Sequence, residues 1–181
     1  IEMVYLVAAL GQNGKKFRRE ATARLRATVS EIYSAPRVTE MAKRRARLGI
    51  LPGFALDLTG CNDKGHACDF NDPEMRAEAE RLLEHQKPML PIGTPMCTAF
   101  SNIQNLNKAK RDPAAVRAEV EKASVHFQWC CKLYQKQVDR GAYFLHEHPA
   151  GATSWKQPEV EMLLNHPAVQ RVVADQCQYG Q

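Results

Sequence analysis

Segments patterned as strands and as helices alternate about six times between residues 29 and 181. No other feature constrains the fold as much. The strand-like runs are "TVSEIYS", ending in a polar turn, "GFALDLTG", with Asp57 near its end, "PMLPIG", "GAYFLHEHP" and a last strand in "VQRVVADQCQYG". The first helical run, "RVTEMAKRRARLG", carries Val38, Met41, Ala42 and Ala46 at helical spacing, with Gly49 as a stop. In "NDPEMRAEAERLLEHQK", Asp72 is the cap, Pro73 opens the first turn, and Met75, Ala79, Leu82 and Leu83 share a face. A long helix follows Asp112-Pro113, on which Val116, Val120, Ala123, Phe127, Cys130, Tyr134 and Val138 recur at three- and four-residue steps. "QPEVEMLLNHP" is a short helix closed before Pro167. This order predicts an α/β fold with a mainly parallel sheet and helices on both faces. Ligands of such sheets sit beyond the carboxyl ends of the strands. The turns after Tyr33, Leu58, Ile92 and Leu145 fall at such ends.

The 181 residues suit one domain with a real core, or one domain and an appendage: a basic helical extension over 1–28 and a catalytic domain over 29–181. The chain begins at Ile1, as expected of a fragment or a processed piece. No apolar run approaches the ~20 residues that span a bilayer, and "MVYLVAAL" lacks the flanks of a secretory signal. Six cysteines without a regular framework read as reduced thiols, so the expected location is intracellular, cytoplasm or nucleus. Between Lys15 and Arg47, eleven basic residues face three acids, a surplus of eight on a chain of net charge +5. Such a block suits either a phosphate-backbone partner or a solvated helix face.

Cys97 lies after a proline in the short turn "GTPMCTAFS", where an exposed thiolate near a strand end can act as a nucleophile. Glu147 in "FLHEHP" is the carboxyl at the end of the next strand. Taken singly, each also reads as a core thiol and a surface carboxylate.

"GTPMCTAFS" resembles the catalytic turn of the C5-cytosine methyltransferases, G-P-P-C-Q-x-F-S, matching at Gly93, Pro95, Cys97, Phe100 and Ser101 but not at Met96 or Thr98. "FLHEHP" resembles that family's strand ending in Glu-Asn-Val, with His148 in place of the asparagine. "EIYSAPRV" resembles its first strand and cofactor loop, without the usual glycines. "LDL", "CDF" and "VVADQCQYGQ" follow in the family's order, so the resemblance runs from residue 29 to 181. Thr98 and "GATSW" are closer to methyltransferase-like domains of mobile-element or viral polyproteins.

The resemblance implies a Rossmann-like fold and S-adenosylmethionine as cofactor. It implies Cys97 and Glu147 as catalytic residues, and Ser34, Asp57, Asp69, Phe70, Thr94 and Pro95 as cofactor-binding residues. Asp57 would serve the ribose and Asp69 the adenine. Ser101 and Arg37 would meet the substrate, and Arg37 suits either the cofactor carboxylate or a phosphate. The partner implied is nucleic acid, DNA ahead of RNA, with no membrane. The family's Gln-x-Arg-x-Arg strand and target-recognition region would follow Gln181, which makes the domain partial.

Two other readings stand beside this one. The fold can serve as a catalytically degenerate nucleic-acid-binding module of a polyprotein. Cys97 can also be a hydrolase nucleophile paired with His146 or His148, although a structural hydrogen bond is the expected role for His148. Cys61, His66 and Cys68, with a distant fourth ligand such as Cys177, form only a weak zinc pattern, and no metal is expected. Trp129 and Trp155 read as packing residues, with stacking on a base or on adenine as the other role open to Trp155.

Overall fold

The computed structural model describes residues 29–45, 47, 49–61, 65, 67–106 and 110–175. The expected extension over 1–28, Ala46, His66 and Cys177 lie outside them. Strands β1 (Val29–Ile32), β2 (Pro52–Leu56), β3 (Leu90–Gly93) and β4 (Leu145–His146) form one all-parallel sheet in the order β2-β1-β3-β4. The chain is a mixed α/β structure whose longer helices are α1 (Val38–Arg44), α2 (Pro73–Gln86), α3 (Pro113–Asp139) and α4 (Pro158–Leu164).

Local chemistry accounts for the element ends. The Asp72 carboxylate accepts the Glu74 N–H at 2.9 Å, Pro73 opens α2, and Lys87 at φ 45° closes it. Asp112 accepts from the N–H groups of Ala114 and Ala115 at the start of α3. All four residues of β1 are buried, as a strand between two parallel neighbours requires.

The sheet runs in register across its carboxyl edge. Leu56, Ile32, Gly93 and His146 align in one row. One further rung forms above it: Tyr33 N–H donates to Leu56 O (2.8 Å), Thr94 N–H to Ile32 O (3.1 Å) and Glu147 N–H to Gly93 O (3.1 Å). From β1 the chain steps out to β2 and returns to β3 on the other side of β1. The sheet order therefore reverses between β1 and β3, where a crevice opens.

The core packs Tyr33 against Phe70 and Trp129, with ring centroids 4.5 and 5.9 Å away, and Phe100 edge-on to Phe127 at 4.8 Å. Ala123, Phe127, Cys130 and Tyr134 are buried on α3 as their spacing predicts, while Val116, Val120 and Val138 are only half-buried. His126, Trp129, Cys131, Leu133 and Gln137 are buried as well, so the second half of α3 has neighbours on several sides.

Two expectations are corrected. The inward face of α1 is Thr39 and Ala42, while Val38 and Met41 are exposed, because a buried carboxylate on β1 draws the Thr39 side toward the sheet. Residues 169–175 form no strand. The Arg171 guanidinium donates to Ala150 O at 2.6 Å and lies 4.3 Å above the Trp155 ring. This holds the segment on the loop after β4, with Val172 and Val173 exposed.

Candidate active site

A cavity of about 510 Å³ opens at the reversal point, within the usual size range of small-molecule sites. Its wall includes Ser34 and Arg37 after β1, Asp57 and Thr59 after β2, Thr94, Pro95, Met96 and Cys97 after β3, and Glu147 and His148 after β4. With strands ~4.8 Å apart and two strands between β2 and β4, Asp57 and Glu147 stand at opposite ends, roughly 14 Å apart along the row.

Tyr33 builds the turn that the sequence leaves without glycine. It takes φ 63°, the left-handed region that glycine enters most easily. Its surroundings hold it there. The ring is buried between Phe70, His126 and Trp129, and its hydroxyl lies 2.6 Å from His126 Nδ1. Because His126 Nε2 faces the Asn71 amide oxygen at 3.2 Å, Nε2 carries the proton and Tyr33 donates to Nδ1. Burial pushes the His126 pKa down and the Tyr33 pKa up, so both stay neutral. The Thr94 hydroxyl donates to Tyr33 O at 2.8 Å and ties the turn to β3.

Glu31, in the middle of β1 and 1% exposed, organises the other wall. Its carboxylate accepts the N–H groups of Arg37 (3.3 Å), Val38 (3.2 Å) and Thr39 (2.8 Å), the Thr39 hydroxyl (2.7 Å) and the Ser34 hydroxyl (3.2 Å). The start of α1 is therefore capped from within the sheet.

Cys97 is half-buried, at φ −93° and ψ −10°, and begins a tight turn in which the Phe100 N–H returns to its carbonyl at 3.0 Å. Phe100 is 2% exposed and anchors that turn in the core. Glu147 is exposed at the far side of the same cavity. The Cys97 thiol and the Glu147 carboxyl, from adjacent strand ends, thus line a common space.

No family model, curated protein or solved structure matches the chain.

Of the residues singled out from sequence, Ser34, Arg37, Asp57, Thr94, Pro95, Cys97 and Glu147 line the cavity, and Asp69, Phe70 and Ser101 do not. Phe70 is fully buried under Tyr33, with no face left for a ligand. Asp69 accepts the backbone and side-chain N–H groups of Asn71, which hold its carboxyl below the usual range. The Ser101 oxygen accepts the Ile103 N–H at 3.3 Å and caps the next turn. Tyr33, Glu31 and His126 shape the site without a sequence signal that marks them.

His146 and His148 stack with centroids 5.5 Å apart among Phe127, Tyr134 and Trp155. Burial pushes both imidazoles down to about 4, and for His146 the neighbouring His148 adds to the effect. His146 Nδ1 meets the Tyr134 hydroxyl at 3.1 Å. Its Nε2 and both nitrogens of His148 are buried without a partner among the described residues. Among the described residues the structural hydrogen bond expected of His148 does not form, and neither histidine is bonded to the Cys97 sulfur as the hydrolase reading requires. Trp155 is half-buried and donates to Pro149 O at 2.7 Å, while Trp129 is buried and donates to Glu80 at 3.0 Å. Among the described residues no group of three His, Cys, Asp or Glu gathers in a way that could hold a metal ion, and no helix is long and apolar enough to cross a membrane.

Proposed function

We propose that this chain is the catalytic part of an S-adenosylmethionine-dependent, C5-cytosine methyltransferase-like enzyme acting on nucleic acid, DNA ahead of RNA. One observation carries the reading: Cys97 and Glu147 line a single cavity at the point where the strand order reverses. The sheet order and the right-handed rule for parallel crossovers favour a Rossmann-like arrangement, with α1 and α2 on opposite faces.

The cavity wall fits the cofactor's chemistry. Asp57 and Glu147 are acceptors for hydroxyl and ammonium donors, and Arg37 is a partner for one anionic group. When bound, S-adenosylmethionine supplies an electrophilic methyl group. Ser34, Arg37, Asp57, Thr94 and Pro95 would hold it.

The chain's own residues do the rest. The Cys97 thiolate bonds to C6 of the cytosine, and the C5–C6 electron pair moves to C5, which becomes nucleophilic. Glu147 hydrogen-bonds N3 and the exocyclic amine, stabilising the charge that builds on the ring. After C5 gains the methyl, water takes the C5 proton, the double bond re-forms and the thiolate leaves. A base stacked in a duplex cannot present C6 to a thiol, so the target enters flipped out or single-stranded. Exposed Arg44, Arg45 and Arg47 at and beyond the end of α1 belong to the basic block that would meet phosphates outside the cavity.

The test is transfer of labelled methyl from S-adenosylmethionine to cytosine-containing duplex DNA and, separately, to single-stranded RNA. Cys97→Ser is expected to lower transfer by at least about 10³-fold with unchanged circular dichroism. Salt-sensitive binding of nucleic acid with no transfer by the wild-type chain would replace this reading with that of a non-catalytic binding module.

A further inference from the structure

The hydroxyls on the cavity wall have already given their protons to the protein. Ser34 shares its proton between Glu31 (3.2 Å) and Ala35 O (2.9 Å), Thr94 donates to Tyr33 O (2.8 Å), and Thr59 donates to Asp57. What these hydroxyls offer a ligand is lone pairs, beside the carboxylates of Asp57 and Glu147. The start of α1, where a turn of this kind commonly receives a phosphate, is filled by the Glu31 carboxylate. Arg37 is the one lysine or arginine among the described lining residues. Its guanidinium forms no hydrogen bond or ion pair among the described residues. An anionic group entering this cavity has one charged donor to meet.

We infer that Arg37 is the anchor for a single ligand carboxylate, the amino-acid end of the cofactor, and that the acceptor-rich wall disfavours nucleotide phosphates. The inference rests on the cofactor reading above and decides between the two anions that the sequence leaves open for Arg37. A carboxylate fits the planar guanidinium fork with two parallel bonds. A diphosphate would bring about two further negative charges against Asp57 and Glu147.

Calorimetric titration of the 181-residue chain tests this with three ligands. They are S-adenosylhomocysteine, methylthioadenosine (the same nucleoside and thioether without the amino-acid end) and ADP. The expected result is that S-adenosylhomocysteine binds most tightly. Arg37→Gln should weaken it by about 10- to 100-fold and leave methylthioadenosine unchanged, and Arg37→Lys should recover part of the loss. Arg37 is exposed, and its backbone N–H still caps α1 in either variant, so a thermal melt should find both folded. Binding of S-adenosylhomocysteine that ignores Arg37→Gln overturns this inference and leaves the cofactor reading standing, as does an equal loss for methylthioadenosine. ADP binding more tightly than S-adenosylhomocysteine overturns the inference in favour of a phosphate. If the wild-type chain binds neither adenosine thioether, the cofactor reading falls and takes the inference with it.

Discussion

His148 is buried with no hydrogen-bond partner among the described residues, and an imidazole in that state resists a proton that the unfolded chain accepts. Its pKa and that of His146 lie at about 4 in the folded protein, against 6.5 for a free histidine. The unfolded state therefore binds protons first as the pH drops. The stability contributed by the neutral pair is fully present above about 6.5 and is lost progressively toward 4. Each group can contribute up to about 1.4 kcal/mol per pH unit in that window, less where protonating one ring raises the cost of protonating the other. Thermal melts between pH 7.5 and 4.5, on the order of the window given by these shifts, should show Tm falling with acid. The variant His148→Phe, which suits a pocket already lined by Phe100 and Phe127, should keep its Tm at neutral pH and lose part of the acid slope. An unchanged slope would mean that His148 does not carry it. At this scale the sequence is most legible where chemistry is local, and Cys97 and Glu147 stand out because each follows a strand. Tyr33 does not, since only the surrounding rings make a left-handed tyrosine tolerable.

Between elements, β3 closely approaches α3 at Gly93. A Cβ on Gly93 would overlap the Tyr134 hydroxyl, so the strand can end beside the helix only because residue 93 has no side chain. Gly93→Ala should destabilise the fold by about 1–3 kcal/mol in urea denaturation. Adding Tyr134→Phe should return a good part of that loss, giving a coupling energy of about 1 kcal/mol or more. Strictly additive effects would show that the hydroxyl is not what the alanine meets. Helix starts were readable because Asp72-Pro73 and Asp112-Pro113 act within one turn. The inward face of α1 was not, because Glu31 on β1 decides it across the turn through bonds to residues 37–39. Over residues 169–175 the expected last strand does not form, for a related reason. Val172 and Val173 have strand-like side chains, but the Arg171 contacts hold the segment on the loop after β4 and off the sheet edge.

For the whole molecule, the parallel order of the sheet is what converts separate turns into a site. Residues scattered from Ser34 to His148 converge because their strands end in one register across the same edge. That convergence follows from strand–helix alternation and was legible. The exclusion of Asp69 and Phe70 was not, since it depends on Phe70 packing beneath Tyr33. The charge layout divides the labour. The cavity carries two carboxylates and one guanidinium, while exposed arginines lie at and past the end of α1; under the proposed function a base would enter the cavity and its phosphates would stay outside. The most direct test is intact-mass analysis of the chain incubated with S-adenosylmethionine and a DNA oligonucleotide carrying 5-fluorocytosine. Fluorine at C5 cannot leave as a proton does, so thiol addition followed by methylation traps the protein on the base. The account predicts a covalent adduct mapped to Cys97, absent in Cys97→Ser and strongly reduced in Glu147→Gln. An adduct on another residue, or one formed equally well by the Cys97→Ser variant, would contradict it.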